Sequence, residues 1–211
     1  MTKIKAVIFD MDGVLIDAKD WHYEALNRAL NHFGYNISRY DHLVTFDGLP
    51  TRKKLEMLTQ EQGLPAALHK LINELKQIYT TEIVHAKCKP IFQHEYALSS
   101  LKSQGFKLAV ASNSIRDSIN LMMLKSGLDK YLDQIVSNQD VRVGKPDPEI
   151  YTKSISLLGL TPSETLVVED NEHGIASARG ARANIMVVNS VMDVTCENIL
   201  QHIKIAEESN R

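Results

Sequence analysis

Two carboxylates one residue apart, Asp10 and Asp12, follow a short apolar run and are themselves followed by Gly13. Ala6 to Phe9 has the make-up of a buried strand, and a glycine there lets the backbone turn away at once. If the chain is still extended at Asp12, residues i and i+2 point the same way, so both carboxylates face one substrate. That arrangement suits a nucleophile paired with a general acid/base. An acidic turn after a strand has the same composition, so the weight of the pair depends on what the rest of the chain brings to it.

Other candidates also sit at the ends of apolar runs. Ser112-Asn113-Ser114 follows Leu108 to Ala111, where a hydroxyl and free backbone N–H groups at a helix start would receive an anionic oxygen. Ser114, with Asp117 three residues on, reads as a capping box, which leaves Ser112 as the functional hydroxyl. Lys145 lies in Gly144-Lys145-Pro146-Asp147-Pro148. The prolines stiffen that loop, and Pro146 biases Lys145 toward an extended backbone that can hold the ammonium inward as a phosphate partner. Glu169-Asp170-Asn171 closes the run Leu166 to Val168. Together with Asp10 these carboxylates would repel one another at high cost without a cation, and hard oxygen ligands suit Mg²⁺. No His/Cys spacing favours zinc.

Five apolar runs have to carry these residues: Ala6 to Phe9, Leu108 to Ala111, Gln134 to Val136, Leu166 to Val168 and Ile185 to Val188. Helical patterns separate most of them, which predicts an α/β fold with a Rossmann-like parallel sheet covered on both faces. Leu121, Leu124 and Leu128 mark one such helix, and Ile150, Ser154, Leu157 and Leu158 another; residues 174–180 form a small-residue helix. The first connection is far longer than the dozen or so residues a simple crossover needs. It contains three amphipathic patterns: Trp21, Ala25, Ala29 and Phe33; Leu55 and Leu58 after Pro50; and Leu68, Leu71, Leu75, Ile78 and Tyr79 after Pro65. A catalytic core of residues 1–16 and 88–211 with a helical cap domain inserted at 17–87 accounts for this. Its linkers leave the core beside the carboxylates, where hinge motion could open and close a lid. Ligands of open parallel sheets bind at the carboxyl ends of the strands, and the candidates all lie there.

Composition bounds the partners. A net charge of -2 with no basic cluster predicts no affinity for nucleic acid or anionic membrane. No apolar stretch approaches the roughly 20 residues of a membrane span, and the N-terminal one is too short for a signal peptide. Two cysteines make no disulfide framework, which points to the cytoplasm. The polar end, from about Glu207, is expected to fray. Oligomeric state is left open, with a monomer as the working expectation.

In their order and at these strand ends, DMDGVLID, VASNS, GKPDPEIY and VVEDNEHGIASARGA resemble the four motifs of the haloacid dehalogenase superfamily of phosphotransferases. The resemblance runs from about Lys5 to Val188. The inserted helices resemble the small α-helical cap of the branch that holds β-phosphoglucomutase and many small-metabolite phosphatases. The resemblance implies that Asp10 is the nucleophile and Asp12 the acid/base. It implies Mg²⁺ held by Asp10, the backbone carbonyl of Asp12 and Asp170, with Glu169 a ligand through water or a support for Lys145. Lys145 and Ser112 would bind phosphoryl oxygens, with Asn113 among the substrate-binding residues. His22 and Arg52 fall near a histidine and an arginine that in the mutase sense the acid/base residue and hold the non-reacting phosphate. Ala18 stands where the mutase pattern has a hydroxyl residue. The expected function is therefore a Mg²⁺-dependent phosphatase of a small phosphorylated metabolite, such as a sugar phosphate, through an aspartyl-phosphate. A hexose phosphomutase is the alternative, and a non-catalytic binding relative comes third. Asp12 argues against dehalogenase chemistry, because a halide leaving group needs no proton.

Overall fold

The computed structural model describes residues 3–46 and 48–209. The chain forms two compact units, Met1–Asp17 with Lys89–Arg211, and Ala18–Cys88.

The first unit is built on five strands: β1 (Ala6–Phe9), β2 (Lys107–Ala111), β3 (Gln134–Val136), β4 (Thr165–Glu169) and β5 (Asn184–Val187). All pair in parallel, in the order β3-β2-β1-β4-β5. Every residue of β1 and β4 is buried, as expected of strands covered on both faces. Phe9 stands opposite Val110 on one side and Val168 on the other, so β1 ends one residue before β2 and β4 do. The ladder continues one step further: Asp10 N–H donates to the Val168 carbonyl and Ser112 N–H to that of Val136, both at 3.0 Å. Residues just past these strands therefore leave the sheet together along one edge.

The helices bury faces that leucine spacing alone misplaces. In Arg116–Ser126 the buried residues are Ser118, Ile119, Met122, Met123 and Ser126, and in Glu149–Leu157 they are Ile150, Tyr151, Ser154 and Ile155. Leu124 and Leu157, expected inside, are 63% and 50% exposed. Each falls outside those buried sets, whose members lie three and four positions apart and so share one side of a helix. The C-terminal expectation also changes. A helix runs from Cys196 to Ser209, burying Ile199, Ile203 and Ala206, and Glu207, expected to fray, accepts a hydrogen bond from Ile4 N–H at 2.9 Å.

The second unit packs helices Lys19–Asn31, Thr51–Gln62 and His69–Lys87 around Leu26, Leu30, Leu55, Leu58 and Ile72. Gly63 ends the second of these with φ +71°, a left-handed position that glycine fills without a Cβ clash. The third buries Ile72, Lys76, Thr80, Ile83 and Val84, while Leu71 and Ile78, expected inward, are 44% and 54% exposed. A short turn at Arg39–Asp41 and a π-helical turn at His42–Phe46 had no counterpart in the sequence reading.

Candidate active site

Asp10 is the first residue past β1, and it is buried. The chain does not stay extended to Asp12. It folds into a compact turn in which the Met11 carbonyl accepts from the N–H groups of Leu15 and Ile16 at 3.0 and 2.9 Å, and Gly13 takes a φ of +93°. A single bridge between Asp12 and Ile16 ties the turn off. Asp12 still lies close enough to Asp10 to disfavour its ionisation, and its Oδ2 accepts a hydrogen bond from Ser114 Oγ at 3.1 Å. Ser114 is thus not the cap that its spacing suggested. The helix begins at Arg116 with Ile115 at the N-cap and no side-chain cap, and the hydroxyl is used on Asp12 instead. Ser114 N–H donates to the buried Ser112 Oγ at 3.1 Å, which links both serines to the carboxylate pair.

Lys145 is 4% exposed, and its Nζ donates to Asp10 Oδ1 and to Glu169 Oε1, each at 2.6 Å. The loop that delivers it is pinned along its length. Asn113 grips the Lys145 backbone from both sides, its Oδ1 accepting from Lys145 N–H at 2.9 Å and its Nδ2 donating to the Lys145 carbonyl at 3.2 Å. Asp147 Oδ1 accepts from Glu149 N–H, and Glu149 Oε2 accepts from the N–H groups of Arg142 and Val143. The small residues of helix Glu172–Gly180 let it press against this loop: Ser177 Oγ donates to the Asp147 carbonyl, and a Cβ on Gly180 would sit 3.1 Å from Pro148.

Glu169, at the end of β4, is wholly buried. Besides Lys145 it accepts Tyr151 Oη–H at 2.5 Å on Oε1 and Asp170 N–H at 3.1 Å on Oε2. Gly174 makes room for it, since a Cβ there would fall 1.8 Å from Oε1. Neither Tyr151 nor Gly174 stood out as a site residue in the sequence.

Burial pushes the Asp10 carboxyl well above the usual carboxylate range against the pull of Lys145, and Glu169, Asp12 and Asp170 add to the rise. Burial would lower the Lys145 ammonium, but Asp10 and Glu169 hold it above its ordinary value. Tyr151 is raised well above a normal phenol by burial and by Glu169. One ammonium does not balance the local carboxylates. Oxygens of Asp10, Glu169 and Asp170 lie within 4.8 Å of one another, a hard-oxygen donor set of the kind Mg²⁺ takes. The Asp12 carboxylate is not among them.

Asp10, Asp12, Ser112, Asn113, Lys145, Glu169 and Asp170 thus meet at one sheet edge. His22 and Arg52 belong to the helical unit. There His22 Nδ1 accepts from the buried Lys76 at 3.3 Å, and Arg52 Nε donates to Glu56 at 3.0 Å on an exposed helix face.

A sequence model of the haloacid dehalogenase-like hydrolases matches residues 7–188, spanning all seven of these edge residues. The chain belongs to the haloacid dehalogenase-like hydrolase family. It is accordingly an enzyme of the hydrolase class. Among relatives, the phosphorylated carbohydrates phosphatase of Thermotoga maritima is 32% identical over 181 residues, covering 84% of this chain and 82% of that protein. The pyrophosphatase PpaX of Bacillus velezensis is 28% identical over 189 residues, covering 85% of this chain and 80% of its own. The crystal structure of β-phosphoglucomutase from Clostridium difficile superposes with a TM-score of 0.85, covering 99% of this chain and 100% of that one. At 23% identity, that last likeness is one of fold. No helix among the described residues is long and apolar enough to cross a membrane.

Proposed function

We propose that this haloacid dehalogenase-like hydrolase is a Mg²⁺-dependent phosphatase of a small phosphorylated metabolite, with a sugar phosphate as the leading class. The observation that carries the reading is the buried Asp10–Lys145–Glu169 array at the sheet edge, with Asp12 alongside. Asp10 and Asp12 read as a nucleophile and an acid/base, a pair that a binding module would not need. The 32% identity to a phosphatase of phosphorylated carbohydrates supports the substrate class.

In this mechanism Asp10 Oδ attacks phosphorus, and the bond to the ester oxygen breaks as Asp12 gives that oxygen its proton. Asp12, now a carboxylate held by Ser114, takes a proton from the water that attacks the aspartyl-phosphate, releasing phosphate and restoring Asp10. Lys145 and Ser112 bind the phosphoryl oxygens as charge spreads over them. A protonated Asp10 cannot attack, so the site needs more positive charge than Lys145 supplies. Asp10, Asp170 and the Asp12 carbonyl, with Glu169 beside them, would hold Mg²⁺, which would supply that charge. Asn113 serves by fixing the Lys145 backbone. The helical unit is read as the cap that selects the substrate, with His22 and Arg52 as its contributors. A sequence with only two cysteines, too few for a disulfide framework, supports a cytoplasmic setting.

The test is a phosphate-release screen across phosphorylated metabolites, with Mg²⁺ and with EDTA. The reading expects sugar phosphates to be hydrolysed only when the metal is present. β-glucose 1-phosphate is included with its bisphosphate activator. Its conversion to glucose 6-phosphate with negligible free phosphate would replace the phosphatase with a hexose phosphomutase.

A further inference from the structure

We propose that Tyr151 is a positioning residue for phosphoryl transfer, acting through Glu169 to hold the Lys145 ammonium on Asp10. The proposal rests on the reading of Asp10 as nucleophile and Lys145 as its phosphate partner.

Tyr151 lies in the helix Glu149–Leu157 with its side chain fully buried among Ile150, Ile155 and Val136. Packing there asks only for a ring, and phenylalanine would supply one. The hydroxyl needs a partner to be tolerated at such a depth, and it donates to Glu169 Oε1 at 2.5 Å. The same oxygen accepts Lys145 Nζ at 2.6 Å, while Nζ also donates to Asp10 at 2.6 Å and stands 4.8 Å from the centre of the Tyr151 ring. Tyr151 therefore touches both ends of the Lys145–Glu169 pair.

Glu169 has little room to turn toward a replacement donor. It is wholly buried, and the backbone of Gly174 closes one side so tightly that a Cβ would overlap the carboxylate. Without the hydroxyl, the freed lone pair on Oε1 competes for the Lys145 ammonium, and Nζ is drawn from Asp10 toward Glu169. Lys145 is needed most as charge builds on the phosphoryl oxygens, so its displacement weakens the transition state more than the ground state. The loss should fall on kcat and spare KM.

The experiment compares wild type, Tyr151→Phe, Glu169→Gln and the double variant on p-nitrophenyl phosphate at saturating Mg²⁺, with Asp10→Asn alongside. Losing a hydrogen bond to a charged group predicts a fall in kcat of about ten- to a hundredfold for Tyr151→Phe, with KM within about threefold. Because Tyr151 acts through Glu169, the double variant should be no slower than Glu169→Gln alone. A Tyr151→Phe enzyme within about twofold of wild type, or a double variant that loses the product of both effects, overturns the proposal. If Asp10→Asn is dead in that case, the site reading stands and only the role of Tyr151 falls; an active Asp10→Asn overturns both. Should Tyr151→Phe not fold, the wild-type protein gives the answer by NMR. A slowly exchanging, downfield hydroxyl proton coupled to the Tyr151 ring is expected, and its absence overturns the proposal.

Discussion

Lys145 and Arg52 are both cations to which motif resemblance gives a phosphate, and they meet opposite surroundings. Lys145 is buried, bonded to two carboxylates, and held at its backbone by Asn113. The Arg52 side chain is 89% exposed and pairs with Glu56 one turn along its own helix. An exposed i,i+4 pair contributes only about 0.3–0.5 kcal/mol, so Arg52 can leave Glu56 for a ligand at little cost. Breaking one partner out of a buried pair costs about 3–5 kcal/mol, so Lys145 stays where it is with or without substrate. On the proposed reading, the general step of the chemistry would sit in rigid surroundings and the contribution that varies with substrate on an adaptable face.

The sharpest way to break the rigid side of that contrast without touching a reacting group is Gly174→Ala. The added methyl overlaps the Glu169 carboxylate, which carries Lys145 with it. A misplacement of about 1 Å costs on the order of a hundredfold in rate, and overpacking costs about 1–3 kcal/mol of stability. Phosphate release and a urea titration on the purified variant read both. Near-native values would mean that the buried array tolerates slack.

The adaptable side is tested by Arg52→Ala. Its urea midpoint should be unchanged and its turnover of p-nitrophenyl phosphate within about twofold of wild type. Affinity for a sugar phosphate should fall by about ten- to a hundredfold, the size of a lost charged hydrogen bond. Equal effects on both substrates would remove Arg52 from substrate binding.

A smaller effect is expected at His94, which is 1% exposed and bonded through Nε2 to the Val191 carbonyl at 2.7 Å. Burial is the largest influence and holds its pKa below the ordinary 6.5, against hydrogen bonds to Val191 and Leu15. As pH falls below that value the unfolded chain takes up the proton before the folded one, so this contribution to stability is present above 6.5 and lost on acidification. Urea midpoints at neutral and mildly acidic pH should diverge less in His94→Gln than in wild type. Identical pH dependence in the two proteins would contradict it.

The sheet was largely legible because its strands are short β-branched runs buried on both faces. Their ends were less so: Lys107, Thr165, Glu169 and Asn184 belong to strands, and ladder bonds make no demand on side-chain polarity. At the site, the residues with unusual chemistry at strand ends were legible as a group, and they do meet at one sheet edge. Ser114 was not, since its local spacing satisfies a cap while its hydroxyl reaches Asp12 across 102 positions of sequence. Tyr151 and Gly174 were hidden for the same reason: a tyrosine in a helix and a glycine among small residues carry no local mark of the carboxylate they surround.

The central claim is that Asp10 is the nucleophile, and Asp10→Asn tests it most directly because the amide keeps the shape and loses the attacking oxygen anion. Phosphate release from the purified variant with saturating Mg²⁺ should fall by on the order of a thousandfold or more, the scale on which loss of a nucleophile is felt, while circular dichroism shows the fold intact. Near-wild-type release from a folded Asp10→Asn protein would contradict the account.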